Sequence, residues 1–124
     1  MSDSIKTILV CDDEPIILEA VSYIVAKEGY NLVTAENGEE GLAVAREIIP
    51  DLILLDGNMP ELSGFEVCEL LKRDEKTKAI CIVMFTANVQ ASDYEKADMA
   101  GANGFIQKPF SPKELRQQIR EYLS

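Results

Sequence analysis

With 124 residues, of which 47% are hydrophobic, the chain has material for one compact domain with an ordinary core and no room for a second. Its 22 acidic residues against 12 basic ones leave a net charge of -10, which opposes binding to the phosphate backbone of nucleic acid or to an anionic membrane surface. No stretch approaches the roughly 20 apolar residues of a membrane span, and residues 1–6 are too short and polar for a signal peptide, so a cytoplasmic protein is expected.

Thr7-Ile8-Leu9-Val10-Cys11 is rich in β-branched residues and reads as a strand that stops in the carboxylates Asp12, Asp13 and Glu14. Pro15 suits the first turn of a helix, where its missing N–H costs nothing; Ile17, Leu18, Val21, Ile24 and Val25 share one face and Gly29 marks the stop. Residues 30–35 alternate enough for an edge strand. Asn37 then caps a helix that carries Glu39 and Glu40 in its first turn and turns Leu42, Ala45, Ile48 and Ile49 inward until Pro50.

Leu52-Ile53-Leu54-Leu55 lacks polar alternation, the pattern of a parallel strand covered on both faces, and it ends in Asp56. Gly57, Asn58 and Pro60 follow as turn formers. Ser63 with Glu66 forms a capping box ahead of a helix whose apolar face is Val67, Leu70 and Leu71. Residues 80–85 form another continuous apolar strand, which ends in Thr86-Ala87-Asn88. Ser92 with Glu95 repeats the capping pattern on a weaker helix with little bulk, and Gly101 follows it. Residues 104–107 are the last strand and lead into Lys108-Pro109, after which Ser111, Pro112 and Glu114 open a final helix bearing Leu115, Ile119 and Leu123.

Five strands alternating with five helices imply right-handed crossovers and a doubly wound five-stranded parallel sheet of the α/β class. All strand carboxyl ends then share one edge, which brings Asp12, Asp13, Asp56, Thr86 and Lys108 together. At about 5 Å and an effective dielectric near 20, each pair of carboxylates repels by about 3 kcal/mol, so positive charge must join them. Lys108 supplies one charge. With no histidine and only three widely spaced cysteines, Cys11, Cys68 and Cys81, a zinc site of the usual kinds has too few ligands; the cysteines read as buried reduced thiols. Oxygen ligands alone favour Mg2+. A magnesium ion, a lysine and a hydroxyl around an exposed aspartate make a phosphoryl acceptor site.

The set Asp12-Asp13, Asp56 followed by Asn58-Met59-Pro60 and Gly64, Thr86-Ala87, and Lys108-Pro109-Phe110 spans nearly the whole chain. It resembles the receiver domain of two-component response regulators, of the stand-alone CheY-like kind. The resemblance implies a flavodoxin-like fold with strand order 2-1-3-4-5 and a single receiver domain over residues 1–124. It implies that Asp56 takes a phosphoryl group from a phosphohistidine on a sensor histidine kinase or histidine phosphotransfer protein. Magnesium would be held by Asp13, Asp56 and the backbone carbonyl of Asn58, with Asp12 acting through a water. Lys108 would pair with the phosphoryl group, Thr86 would move to hydrogen-bond it, and the aromatic switch Phe105 would rotate inward. Ala87 is small, as access requires, and Asn58 and Asn88 would flank the path of attacking water and are expected to tune the phosphoryl lifetime. The Lys108-Pro109 bond is expected to be cis.

The expected output is altered affinity for a downstream effector protein, from a monomer or a weak phosphorylation-dependent dimer, without enzymatic turnover of another substrate. Glu14 is given no role beyond lying beside the pocket. Two other readings stand beside this one. A haloacid-dehalogenase-like phosphatase would need a second aspartate where Asn58 stands, and an amide cannot move the proton. A receiver fragment of a DNA-binding regulator would fit Ser111-Pro112-Lys113-Glu114-Leu115, but Ala102-Asn103-Gly104 lacks the paired acids of that group and Gln118 replaces its arginine. The start at Met1 and the end at Ser124 favour a complete single-domain regulator.

Overall fold

The computed structural model describes residues 5–87 and 89–124. Five strands, β1 (Thr7–Cys11), β2 (Asn31–Ala35), β3 (Leu52–Leu55), β4 (Cys81–Thr86) and β5 (Gly104–Gln107), alternate with five helices. The helices are α1 (Pro15–Lys27), α2 (Gly38–Ile48), α3 (Gly64–Arg73), α4 (Ala91–Ala100) and α5 (Pro112–Leu123). The strands form one parallel sheet in the order β2-β1-β3-β4-β5, as expected.

Both faces of the sheet are covered, which is why the central strands lack polar alternation. Ile8, Val10, Leu52, Leu54, Val83, Phe85 and Ile106 pack against Val21, Ile24 and Val25 of α1 and Leu115 and Ile119 of α5. The intervening residues Leu9, Cys11, Ile53, Leu55, Ile82 and Met84 face the other layer, where Ala45 of α2, Val67, Cys68 and Leu71 of α3 and Ala97 and Ala100 of α4 meet them. The period of two along each strand thus fills two cores at once.

Most helix starts follow the local signals. The Asn37 side chain accepts from the Glu40 N–H at 2.8 Å, and Ser111 accepts from the Glu114 N–H at 3.1 Å behind Pro112. The Ser63 and Glu66 capping box is reciprocal, at 3.2 and 2.9 Å.

Three expectations are corrected. The fourth helix starts at Ala91, one residue before the expected Ser92 cap, because the buried Asp93 carboxylate reaches back to the Gln90 N–H at 2.8 Å. Ile48 and Ile49 do not face inward: α2 ends at Ile48, Ile49 closes it in the left-handed region at φ 45°, and both are exposed. Leu70 is exposed too, and Cys68 takes its place in the core. The cysteines are free, with Cys11 and Cys68 buried and Cys81 half-buried. No described helix is long and apolar enough to cross a membrane.

Candidate functional site

The register Cys11↔Leu55 sets the ends of β1 and β3 side by side, so Asp12 and Asp56 leave the sheet as neighbours. A carboxylate oxygen from each of Asp12, Asp13 and Asp56 lies within 4.8 Å of the others. Asp12 and Asp56 are buried and Asp13 is exposed, so the cluster opens to solvent on one side. Asp12 uses both its oxygens: Oδ1 accepts from the Glu14 N–H at 2.9 Å and Oδ2 from Lys108 Nζ at 2.6 Å. Asp56 Oδ1 accepts from the Asn58 N–H at 3.0 Å, and its Oδ2 lies 3.8 Å from Lys108 Nζ.

Lys108 follows β5, and its N–H donates to the Thr86 carbonyl at 2.8 Å, extending the β4–β5 ladder by one step. The side chain runs over the Phe85 ring, with Nζ 5.2 Å from its centroid, and is buried at its tip. Burial pushes the ammonium's pKa down, but the Asp12 hydrogen bond and the charges of Asp56 and Asp12 outweigh it, so the net shift is upward and the lysine stays charged. Glu14 Oε1 accepts from the same Nζ at 3.2 Å. This role was missed: an exposed acid after the two site acids Asp12 and Asp13 carries no local signal, and only the fold brings Lys108 to it.

The Asp56 carboxyl is shifted as well. Burial pushes its carboxyl up from 3.8 to about 6, against the pull of the Asn58 N–H and Lys108, and the charges of Asp12 and Asp13 add to the rise. The oxygen-only donor set and this uncompensated negative charge fit a hard divalent cation. Gly64, at the start of α3, packs its Cα face on the Asp56 backbone, where an added Cβ would collide with the Asp56 carbonyl. Gly64→Ala is expected to cost about 1–3 kcal/mol and to displace the loop after β3, measured as a lower urea midpoint together with weaker magnesium binding.

Thr86 is the last residue of β4, not one beyond it, and is fully buried. Its Oγ1 accepts from Asn58 Nδ2 at 2.7 Å, a contact absent from the sequence reading, which gave Asn58 a backbone ligand and a place beside the water path. Ala87 is half-buried next to it. Asn88 lies outside the described residues. Phe105 is half-buried and lies on Tyr94 of α4, with ring centroids 4.6 Å apart. The Lys108-Pro109 bond is cis, as expected.

A parallel doubly wound sheet that gathers three acids, a buried lysine and a strand-end threonine at one edge has the architecture of a receiver domain. The chain belongs to the response regulator receiver domain family, whose sequence model matches residues 8–120. The phosphate regulon transcriptional regulatory protein PhoB of Pseudomonas aeruginosa is 42% identical over 118 residues, covering 95% of this chain and 52% of that protein. The chain spans about half the length of the curated relatives it matches. The chemotaxis protein CheY4 of Vibrio cholerae superposes with a TM-score of 0.91 at 31% identity, covering 97% of this chain and 100% of that one. The receiver domain of a Pseudomonas aeruginosa sensor histidine kinase, solved with a magnesium ion coordinated in its active-site cleft, superposes at 0.88 with 25% identity, covering 97% and 98%.

Proposed function

We propose that Asp56 is the phosphoacceptor of a two-component phosphorelay, taking a phosphoryl group from a phosphohistidine on a sensor histidine kinase or histidine phosphotransfer protein. The observation that carries this reading is the Asp56 carboxylate itself: it stands at a strand's carboxyl end, within reach of two further acids, with Lys108 Nζ at 3.8 Å. An Asp56 oxygen attacks phosphorus, the P–N bond to the donor imidazole breaks, and the electron pair leaves with the donor nitrogen. Lys108 then pairs with a phosphoryl oxygen, and Thr86 moves to donate to another.

Asp13, Asp56 and the Asn58 backbone carbonyl would hold magnesium, with Asp12 acting through a water, and the ion would supply positive charge that makes an anionic phosphoryl group acceptable in an acidic pocket. The magnesium ion coordinated in the active-site cleft of the kinase receiver supports a magnesium site here. The adduct biases a two-state surface formed by Thr86, α4 and the Phe105 switch, and the output is altered affinity for an effector protein. Ala87 leaves room for entry of the group, and Asn58 with Asn88 sets its lifetime against water. No turnover of another substrate is required.

In the single-domain reading, residues 1–124 form the complete regulator and the effector is a separate protein. The relatives about twice as long favour a second reading, in which the effector is an attached DNA-binding domain. The extent of the reading frame decides between them. The chemistry is tested by intact-mass spectrometry after incubation with acetyl phosphate. One phosphoryl adduct that requires both magnesium and Asp56 is expected, and its absence in wild type under all conditions sinks the reading.

A further inference from the structure

One residue touches both the acceptor and the switch. The backbone N–H of Asn58 donates to Asp56 Oδ1 at 3.0 Å, while its side-chain amide donates to Thr86 Oγ1 at 2.7 Å. Thr86 is fully buried and has little else to hold its hydroxyl, since the distance from Oγ1 to the Ala87 carbonyl is 3.5 Å, the outer limit of a hydrogen bond. Asn58 is exposed, so its side chain has space to leave.

We propose that the Asn58 amide is a latch that holds Thr86 in its resting position, and that a charged group on Asp56 releases the latch by drawing the amide to itself. This rests on the phosphoacceptor reading for its trigger, but not for the latch. A threonine hydroxyl has one proton and two lone pairs, and in the resting state Asn58 occupies one lone pair at short range. A change of Thr86 rotamer carries Oγ1 away from the amide and breaks that bond. A phosphoryl oxygen is a charged acceptor and forms hydrogen bonds roughly twice as strong as a neutral hydroxyl does. Asn58 lies two residues after Asp56 and its backbone N–H is already tied to the Asp56 carboxylate, so its side-chain amide lies within reach of the new acceptor. Once the amide moves, the Thr86 side chain is free to turn and bring its proton to the same group. Asn58 is therefore a positioning residue that acts through Thr86, distinct from its backbone carbonyl's part in holding a metal.

The test uses the full chain without metal or phosphodonor, so that it does not depend on chemistry at Asp56. Three-bond couplings and methyl relaxation dispersion at Thr86 report its χ1 populations in wild type, Asn58→Ala and Asn58→Leu. The expected result is about a fivefold rise in the minor Thr86 rotamer in both variants, the factor that the net worth of one ordinary hydrogen bond represents. The Phe105 ring resonances should shift with it. In a Thr86→Val background, which lacks the hydroxyl, the same Asn58 substitutions should leave Phe105 unmoved, whereas a purely structural effect on the loop would move Phe105 in both backgrounds. Unchanged Thr86 populations, or equal Phe105 shifts with and without the hydroxyl, overturn the latch. A wild type that passes these tests yet forms no adduct with acetyl phosphate keeps the latch and loses only its trigger.

Discussion

Asp56→Asn is expected to abolish the phosphoryl adduct and, at the same time, to raise the stability of the metal-free protein by about 2–3 kcal/mol at neutral pH. The gain follows from the direction of the shift. Burial, reinforced by Asp12 and Asp13, pushes the Asp56 carboxyl from 3.8 to about 6, so between those values the folded chain binds a proton that the unfolded chain has already lost. Stability therefore falls as pH rises through this window and stays low above it, where Asp56 is ionised. An amide of the same shape removes that cost. Urea denaturation in the presence of a chelator, run from pH 4 to 8 on both proteins, reads the difference directly. The wild type should lose stability toward neutral pH, and the Asp56 contribution should be missing from the variant. An Asp56→Asn protein less stable than wild type at pH 7 would falsify the account. The same titration governs chemistry, because only the ionised carboxylate can attack phosphorus or bind a cation. Adduct formation should fall as pH is lowered, and the fall should begin at lower pH the more magnesium is present, because proton and cation compete for the same oxygens.

Lys108→Met should act with the opposite sign. It keeps the aliphatic stem over Phe85 but removes the charge that Asp12 Oδ2 accepts from at 2.6 Å. Asp12 is fully buried, and no other cation lies within salt-bridge distance of it among the described residues. Removing one partner of a buried pair leaves the other charge uncompensated, and the expected loss is about 3–5 kcal/mol in the absence of magnesium. Part of that loss should return on adding magnesium and on adding Asp56→Asn, since either lowers the negative charge of the cluster. Function should separate from stability here. Where the protein remains folded with magnesium, an adduct can still form at Asp56, but the Phe105 and Thr86 resonances should no longer follow it, because the cation that ties the phosphoryl group to β5 is gone. A Lys108→Met protein whose Phe105 signals shift on phosphorylation as in wild type would show that another group carries the coupling.

The fold was legible because its signals are local and repeat. Four consecutive large aliphatics before Asp56 report a strand covered twice, and Asn37, Ser63 and Ser111 each announce a helix start through a side chain that satisfies a free N–H within three residues. The start of α4 was misplaced because two capping patterns overlap there: Ser92 with Glu95 looks right in sequence, but Asp93 is the residue that reaches back. Ile48, Ile49 and Leu70 continue a helical apolar period beyond the part of each helix that meets the sheet, and periodicity alone does not show where contact ends. At the site, the residues converging on one edge could be read from topology. Which side chain bonds which could not. The Glu14 contact to Lys108 and the Asn58 contact to Thr86 depend on rotamers and on loop paths that no spacing rule encodes.

The pairing of Cys11 with Leu55 has an evolutionary corollary. Asp12 and Asp56 are each the first residue past adjacent strands, so the gap between them is inherited from the spacing of the main-chain ladder, about 4.8 Å in any sheet. That gap is insensitive to the identity or length of what lies between the two strands. Helices α1 and α2 and their connections can be rewritten, lengthened or swapped between relatives without retuning the distance between the acids. Such a site can keep one chemistry while the surfaces around it diversify.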